Sequence, residues 1–459
     1  MNNMIKRTLQ IFAVFLMFNV TLSAGPIQRD SIQYSTITTS AMLLPAEEWS
    51  LKWGGFTSTD IFWDTRKPVE ARDGGIFLYP SEPNLDPNGV DLNDRTSFNF
   101  ITMNTRLTLK FTAPKALGAQ ISGMIEGWFM GVSNDDLNGF ALRHSFIKLD
   151  WSKTHLLIGQ TWHPMFTERM FAQTVSGSAG APFQPFSRAP QVRLTQQFFK
   201  YSHVMLYANT QRDMLSVGFN GAKSSQYIRN SAIPELGAQY ILDYSKSVEN
   251  QLKNEFYFGV GVDYKKIVPR IKTEINIATK KSLHSYTGLI FAHYAHYVSN
   301  SLNFGFKFKS TLSQNTSEFL MMGGYAVKEY MPYGNTNYGV DFDYTNINVS
   351  STWFDMYLNY NKFQFGFLTG YAQNLGSGDL IQDANNPRSY FGTLTNAAYV
   401  FRLSPRVKYK VGNLQFCFEP EFTQVLYGTV LNQHGVVDQT QPTNKENNIR
   451  FLFTTILFF

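Results

Sequence analysis

Apolar and polar residues alternate with period two through most of the chain. Leu302, Phe304, Phe306 and Phe308 alternate with Asn303, Gly305, Lys307 and Lys309. Leu107, Leu109 and Phe111 alternate with Arg106, Thr108 and Lys110, and Ile121, Gly123 and Ile125 with Ser122, Met124 and Glu126. Leu414, Phe416 and Phe418 alternate with Gln415, Cys417 and Glu419, and Ile271, Thr273, Ile275 and Ile277 with Lys272, Glu274 and Asn276. Successive side chains of a strand point to opposite faces. Each segment therefore offers one apolar face and one polar or small face, over about the ~9–11 residues with which a tilted strand crosses a bilayer.

This pattern predicts strands near 50–62, 97–112, 116–131, 139–151, 153–162, 190–199, 202–211, 235–245, 256–265, 269–279, 284–297, 301–312, 349–360, 362–373, 394–411, 413–428 and 448–459. The tally is odd, whereas single-chain bacterial barrels are even. One segment is thus split, merged or missed, and Met214–Gly221 is a further candidate. The expected fold is all-β: a transmembrane antiparallel β-barrel of about 16 strands, with about 18 as the neighbouring count. That width leaves an aqueous channel. A soluble sandwich also alternates, but here the alternation covers nearly the whole body and no segment reads as a long amphipathic helix.

Connections of two lengths separate the strands. Ala113-Pro114-Lys115 and Trp151-Ser152-Lys153 read as tight periplasmic turns, and 63–96, 163–189, 313–348, 374–393 and 429–447 as long external loops rich in Asn, Asp, Gly and Pro. The two ends agree with export. Lys6 and Arg7 precede an apolar run, Leu9 to Val20, and Thr21-Leu22-Ser23-Ala24 offers small residues for cleavage, so 1–24 reads as a signal peptide. Residues 25–49 then form an N-terminal periplasmic segment and 50–459 the barrel. The last strand ends on Phe459, with Phe451, Phe453, Leu457 and Phe459 on one apolar face. It resembles the terminal strand that bacterial outer-membrane barrels present to the barrel-insertion machinery, and these residues are the expected membrane-insertion signal.

Composition narrows the function. Aromatics make up 15% of the 459 residues, suited to a lipid-facing surface with interfacial girdles. Removing Lys6 and Arg7 with the leader lowers the formal charge from +6 to +4, and no basic run speaks for nucleic acid. The single cysteine, Cys417, cannot form an internal disulfide. Asp86, Asn88, Asp91, Asn93 and Asp94 lack the spacing and the bidentate Glu of a calcium hand. His293 and His296 are an odd number apart and point to opposite faces, so no metal is expected. No Ser-His pair, phosphate loop or dinucleotide fingerprint stands out, so neither an enzyme nor a cofactor is expected.

The most informative stretch follows the strand that ends at Trp162. It holds His163-Pro164-Met165-Phe166-Thr167-Glu168-Arg169 and then Gly180-Ala181-Pro182-Phe183-Gln184-Pro185-Phe186-Ser187-Arg188-Ala189-Pro190-Gln191-Val192-Arg193. A long loop with prolines and opposed charges would fold into the lumen and narrow it, with Glu168, Arg169, Arg188 and Arg193 setting a field across the constriction. This run resembles the DcaP-like outer-membrane porins, clearly over residues 97–240 and in general character beyond. The resemblance implies a trimeric barrel in the Gram-negative outer membrane, among lipid and lipopolysaccharide, that passes small and often anionic solutes. Residues 25–49 show no heptads, so the coiled-coil extension of some members is absent.

Strand phase assigns Arg106, Lys110, Glu126, Lys148, Lys307 and Lys309 to the lumen. The expected function is passive diffusion of small hydrophilic, anionic solutes through a porin. The alternative is a substrate-selective or loop-plugged receptor or adhesin.

Overall fold

The computed structural model describes residues 49–248, 251–332 and 340–459. The segments read as export signal and periplasmic extension lie outside them, save Trp49. The chain forms a closed antiparallel barrel of 16 strands. They are β1 (Ser50–Asp64), β2 (Ser97–Ile101 and Arg106–Ala116, interrupted once), β3 (Ala119–Trp128), β4 (Ala141–Asp150), β5 (Thr154–Trp162), β6 (Arg188–Phe199), β7 (Ser202–Asn209) and β8 (Glu235–Val248). Then follow β9 (Gln251–Ile267), β10 (Leu283–Ser299), β11 (Leu302–Gln314), β12 (Val340–Tyr360), β13 (Phe363–Ser377), β14 (Ala397–Val411), β15 (Leu414–Gly428) and β16 (Thr443–Phe458). Among the described residues no helix is long and apolar enough to cross a membrane.

The barrel closes because β1 has partners on both edges. It pairs with β2 through Ser50↔Thr112 to Phe56↔Arg106, and with β16 through Phe56↔Phe458 to Asp64↔Arg450. Among the described residues no wall strand is left with an unpaired edge, as lipid requires. The outward phase is apolar and exposed: Leu107, Ile125, Ile158, Val260, Phe306, Leu358 and Phe418 all face out, while their polar neighbours face the lumen. A continuous apolar belt of this kind on a closed barrel is a surface for lipid. Phe451, Phe453, Leu457 and Phe459 join the same outward face, and the Phe459 backbone pairs with Gly55 at 3.1 and 3.2 Å.

The odd tally has a specific source. Segment 269–279 is not a strand but a hairpin tip: Thr279 N donates to Ile271 O (3.0 Å) and the chain reverses at Asn276, φ 64. Its alternation is real but too short to cross a membrane. The same nine-residue tip recurs at 84–92, 216–224 and 430–438. There Leu92, Ser224 and Asp438 donate to Asn84, Ser216 and Val430, and the left-handed residues are Gly89, Gly221 and Gly435. The Met214–Gly221 candidate belongs to the second of these tips.

Two further readings shift. The reversal expected at Ala113–Lys115 falls at Leu117 (φ 54) and Gly118 (φ 75), and Pro114, which lacks an N–H, sits in a break of the pairing between Ala113 and Ala116. The pattern also missed short strands within the loops. Pro68–Ala71 pairs with Ile76–Pro80, and Gly323–Pro332 bridges the projecting start of β12 to Tyr390–Thr393.

One buried ion pair locks the closing seam. Arg450 of β16 donates to Asp64 of β1 (2.8 and 3.0 Å), reaches Glu70 (3.1 Å) and the Gly74 carbonyl (2.7 Å), and lies over the Phe62 ring. Arg450→Met would leave Asp64 buried without its partner, at a cost of about 3–5 kcal/mol. Urea unfolding in vesicles, followed by tryptophan fluorescence, should show an earlier midpoint. An unchanged midpoint would refute the lock.

Candidate functional site: a lumen narrowed by inward segments

Residues 163–187 leave β5 and return to β6 through the interior. Two single-turn 3₁₀ helices, Pro164–Phe166 and Glu168–Met170, are joined by Thr167 in the left-handed region. Met165, Phe166, Met170, Ala172 and Phe183 have no exposed surface. A segment this apolar gains more by lining the lumen than by standing in water. Trp162 stacks on Phe166 with centroids 4.1 Å apart, and Phe171 and Phe186 meet it edge-on.

A buried loop must find partners for its backbone, and the far wall supplies them. Lys309 Nζ donates to the Met165 and Phe166 carbonyls (2.5 and 2.8 Å), Lys307 to Phe171 O (2.7 Å) and Lys408 to Thr174 O (3.3 Å). Arg402 donates to Ala181 O (2.8 Å) and Ser351 to Phe183 O (3.0 Å). In the other direction, Asp355 accepts from Gln173 N, and Glu419 from Val175 N and Ser176 N. Gly370 makes room for the Phe183 ring, which would lie 2.4 Å from a Cβ there.

The loop's root is latched as well. His163 Nδ1 accepts from Met165 N (3.2 Å), which places the ring proton on Nε2, 3.0 Å from Glu235 Oε1. Asp263 stands beside this pair and accepts from Tyr207 Oη at 2.8 Å. The three side chains lie close enough to hold an ion, but Nε2 is already a donor, so the group reads as a hydrogen-bonded latch.

A second inward segment went unread in the sequence. The hairpin 68–80 packs Ile76, Phe77, Leu78 and Tyr79 inside the barrel, because a continuous apolar run shows no alternation. Arg402 donates to Leu78 O (2.6 Å), Arg450 to Gly74 O and Tyr427 to Pro80 O (both 2.7 Å). Arg402 thus holds both inward segments from one place on the wall.

A cavity of about 520 Å³ remains along β1 to β5, lined by Lys52, Arg106, Lys110, Glu126, Arg143 and Glu168 among others. Arg106 lies over the Phe56 ring (4.9 Å), and Lys110 is the register partner of Lys52. Like charges directly opposite on a sheet are unfavourable, so the pair marks a place where positive charge is tolerated at a cost. Glu126 accepts from Arg143 and Thr108, both at 2.8 Å. Glu168 is exposed to the lumen yet ringed by protein. That desolvation raises its carboxyl above the ordinary glutamate value, against the pull of Arg193.

The structure therefore gathers Arg106, Lys110, Glu126 and Glu168 around one vestibule, leaves Arg193 outside its lining but close enough to act electrostatically on Glu168, and separates the other expected residues from it. Arg188 is fully buried between Trp128 and Trp162 and pairs with Asp213 at 2.8 Å. Arg169 is tied to Asp243. Lys148 pairs with Asp150 at the turn end (2.9 Å). Lys307 and Lys309 face inward as their phase requires, but they lie beneath the loop and not beside water. Lys52 was legible from its place between Leu51 and Trp53. Arg143 was not, because it sits at a register shift that breaks the alternation.

A closed barrel of this size with a loop folded into its lumen has the architecture of a porin. Among solved structures it is similar to the outer-membrane channel DcaP of Acinetobacter baumannii, at 14% identity and a TM-score of 0.57 over 90% of this chain and 98% of that one. The resemblance drawn from Trp162 to Gln191 is thus matched at the level of fold. Looser likenesses are to the OmpT of Vibrio cholerae (8% identity, TM-score 0.48, 91% and 99% covered) and an anion-selective porin from Comamonas acidovorans (9%, 0.47, 90% and 100%). Nothing about the lumen follows from these two. Neither a family model nor a curated protein matches the sequence.

Two outcomes follow from this geometry. Lys309→Met removes the donor from two buried carbonyls, each costing about 1–3 kcal/mol when orphaned. Single-channel conductance should rise and become noisier as the loop loosens, and an unchanged trace would show that the staple is dispensable. Acidification should neutralise Glu168 before an ordinary glutamate. The anion-to-cation permeability ratio should then climb as pH falls, whereas Glu168→Gln should hold the high ratio at every pH. A pH response that survives in Glu168→Gln would assign it to another group.

Proposed function

We propose that this protein is an outer-membrane diffusion pore for small hydrophilic solutes that favours anions. The observation that carries the reading is the charge of the vestibule. Lys52, Arg106 and Lys110 line it and Arg193 acts electrostatically on Glu168 beside it, none of the four with an ion pair within 4 Å among the described residues, and Glu126 is already matched by Arg143. Only Glu168 opposes them. Free positive charge beside a narrow water path, between low-dielectric walls, concentrates anions and repels cations. The apolar belt supports a membrane location. The inward loop supports selection by size as well as charge, because it removes the β11–β15 half of the lumen from the water path.

The measurement is single-channel conductance of the refolded protein in a planar bilayer, with reversal potential under a salt gradient. Stable steps with an anion-signed potential are expected, and steps in threes would match a trimer. The triple variant Arg106→Gln, Lys110→Gln, Arg193→Gln should lose that preference while still conducting. The difference should shrink at molar salt, where the screening length falls to about 3 Å. A folded barrel that passes no current would favour a loop-plugged receptor. A cation-signed potential would overturn the selectivity.

A further inference from the structure

The end of the barrel with the tight turns carries a basic edge that the pore does not use. Lys115, Lys153, Lys200 and Lys246 are exposed at the tight-turn ends of four successive strand pairs, β2–β3, β4–β5, β6–β7 and β8–β9. These strand ends are joined side to side. Trp151 Nε1 donates to Leu117 O (2.9 Å), and Gln197 N donates to Lys153 O (2.8 Å). The Tyr201 and Tyr244 rings meet edge-on at 5.0 Å, and Lys200 Nζ lies 5.0 Å from the Tyr201 ring. The four lysines therefore form one arc.

None of the four has an ion-pair partner among the described residues, and Asp150, at the end of β4, is already held by Lys148 and His155. The arc is not purely polar. Leu117 is 83% exposed and Phe199 76%, each within two residues of a lysine. Singly, such side chains occur on any water-facing surface. Beside lysines they make the pairing of the bilayer interface, where apolar side chains enter hydrocarbon and ammonium groups stay with the headgroups. A purely water-borne polyanion would match the lysines but not Leu117 and Phe199.

We infer that this arc binds the anionic phosphodiester headgroups of the phospholipid leaflet on the tight-turn side, holding a few acidic lipids against β2–β9. The inference rests on the reading of the barrel as membrane-spanning, with its tight turns toward the periplasm.

The test uses the folded full-length protein in phosphatidylcholine vesicles containing a minor fraction of either spin-labelled phosphatidylglycerol or spin-labelled phosphatidylcholine. Electron paramagnetic resonance reads the motionally restricted fraction of each. The wild type should restrict the glycerol lipid more strongly than the choline lipid, and added salt should weaken the difference. The variant Lys115→Gln, Lys153→Gln, Lys200→Gln, Lys246→Gln should lose roughly tenfold or more of that preference. A control with Lys67, Lys223, Lys280 and Lys445, exposed at the long-loop end, changed to Gln should keep it. Equal restriction of the two lipids by the wild type, or an undiminished preference in the arc variant, would overturn the inference. So would lysine-dependent retention on isolated peptidoglycan in place of lipid. Flotation is measured first: a chain that does not float with vesicles fails the membrane reading itself, whereas one that floats without lipid preference fails only this inference.

Discussion

A closed wall of 16 strands encloses more space than its own inward side chains can fill. The remainder must be water or chain. Here it is both, and the division follows from where the chain supplies apolar residues. The loop after β5 carries a cluster of Phe, Met and Ala, and the hairpin 68–80 the run Ile76 to Tyr79, and each lowers its free energy by leaving water. Once inside, their backbones need hydrogen-bond partners as surely as a transmembrane strand does. The positions of Lys309, Lys307, Arg402, Asp355 and Glu419 answer that need.

Lumenal charge therefore has two separate tasks. On the β11–β15 side it is buried, directed at carbonyls and amides, and structural. On the β1–β5 side it lines the open vestibule. The tasks are distinguished by what each side chain touches and not by its type, since lysines and arginines serve in both. The seam pair Arg450–Asp64 belongs to the first kind. It also reaches the inward hairpin through Gly74, so closure of the wall and filling of the lumen are joined at one guanidinium.

The sequence carried the barrel well because strand alternation is written in every wall segment. Phe304 and Phe306 set against Lys307 and Lys309 is enough to assign a face. It carried the loops less well. Ile271 to Ile277 alternates like a wall strand, and only the reversal at Asn276 reveals a hairpin tip. Ile76 to Tyr79 does not alternate at all, because all its side chains are buried. For the site, phase gave the direction of each charge but not its destination. Lys309 and Lys110 both point inward. That Lys309 does not meet water depends on a loop more than a hundred residues distant in sequence, and that information is absent from its strand.

The way the wall holds the inward loop has a bearing on how such a pore can change. Nearly every grip on residues 163–187 takes hold of main-chain oxygen or nitrogen: Met165, Phe166, Phe171, Thr174, Ala181 and Phe183 by their carbonyls, Gln173, Val175 and Ser176 by their amides. Such a grip does not depend on which side chain the gripped residue bears. The loop can therefore exchange its lumen-facing residues, Glu168 among them, while the scaffold that presents them stays put. The side chains the loop shows to the lumen and the anchorage that holds it are inherited through different atoms, and a lineage can retune one without renegotiating the other.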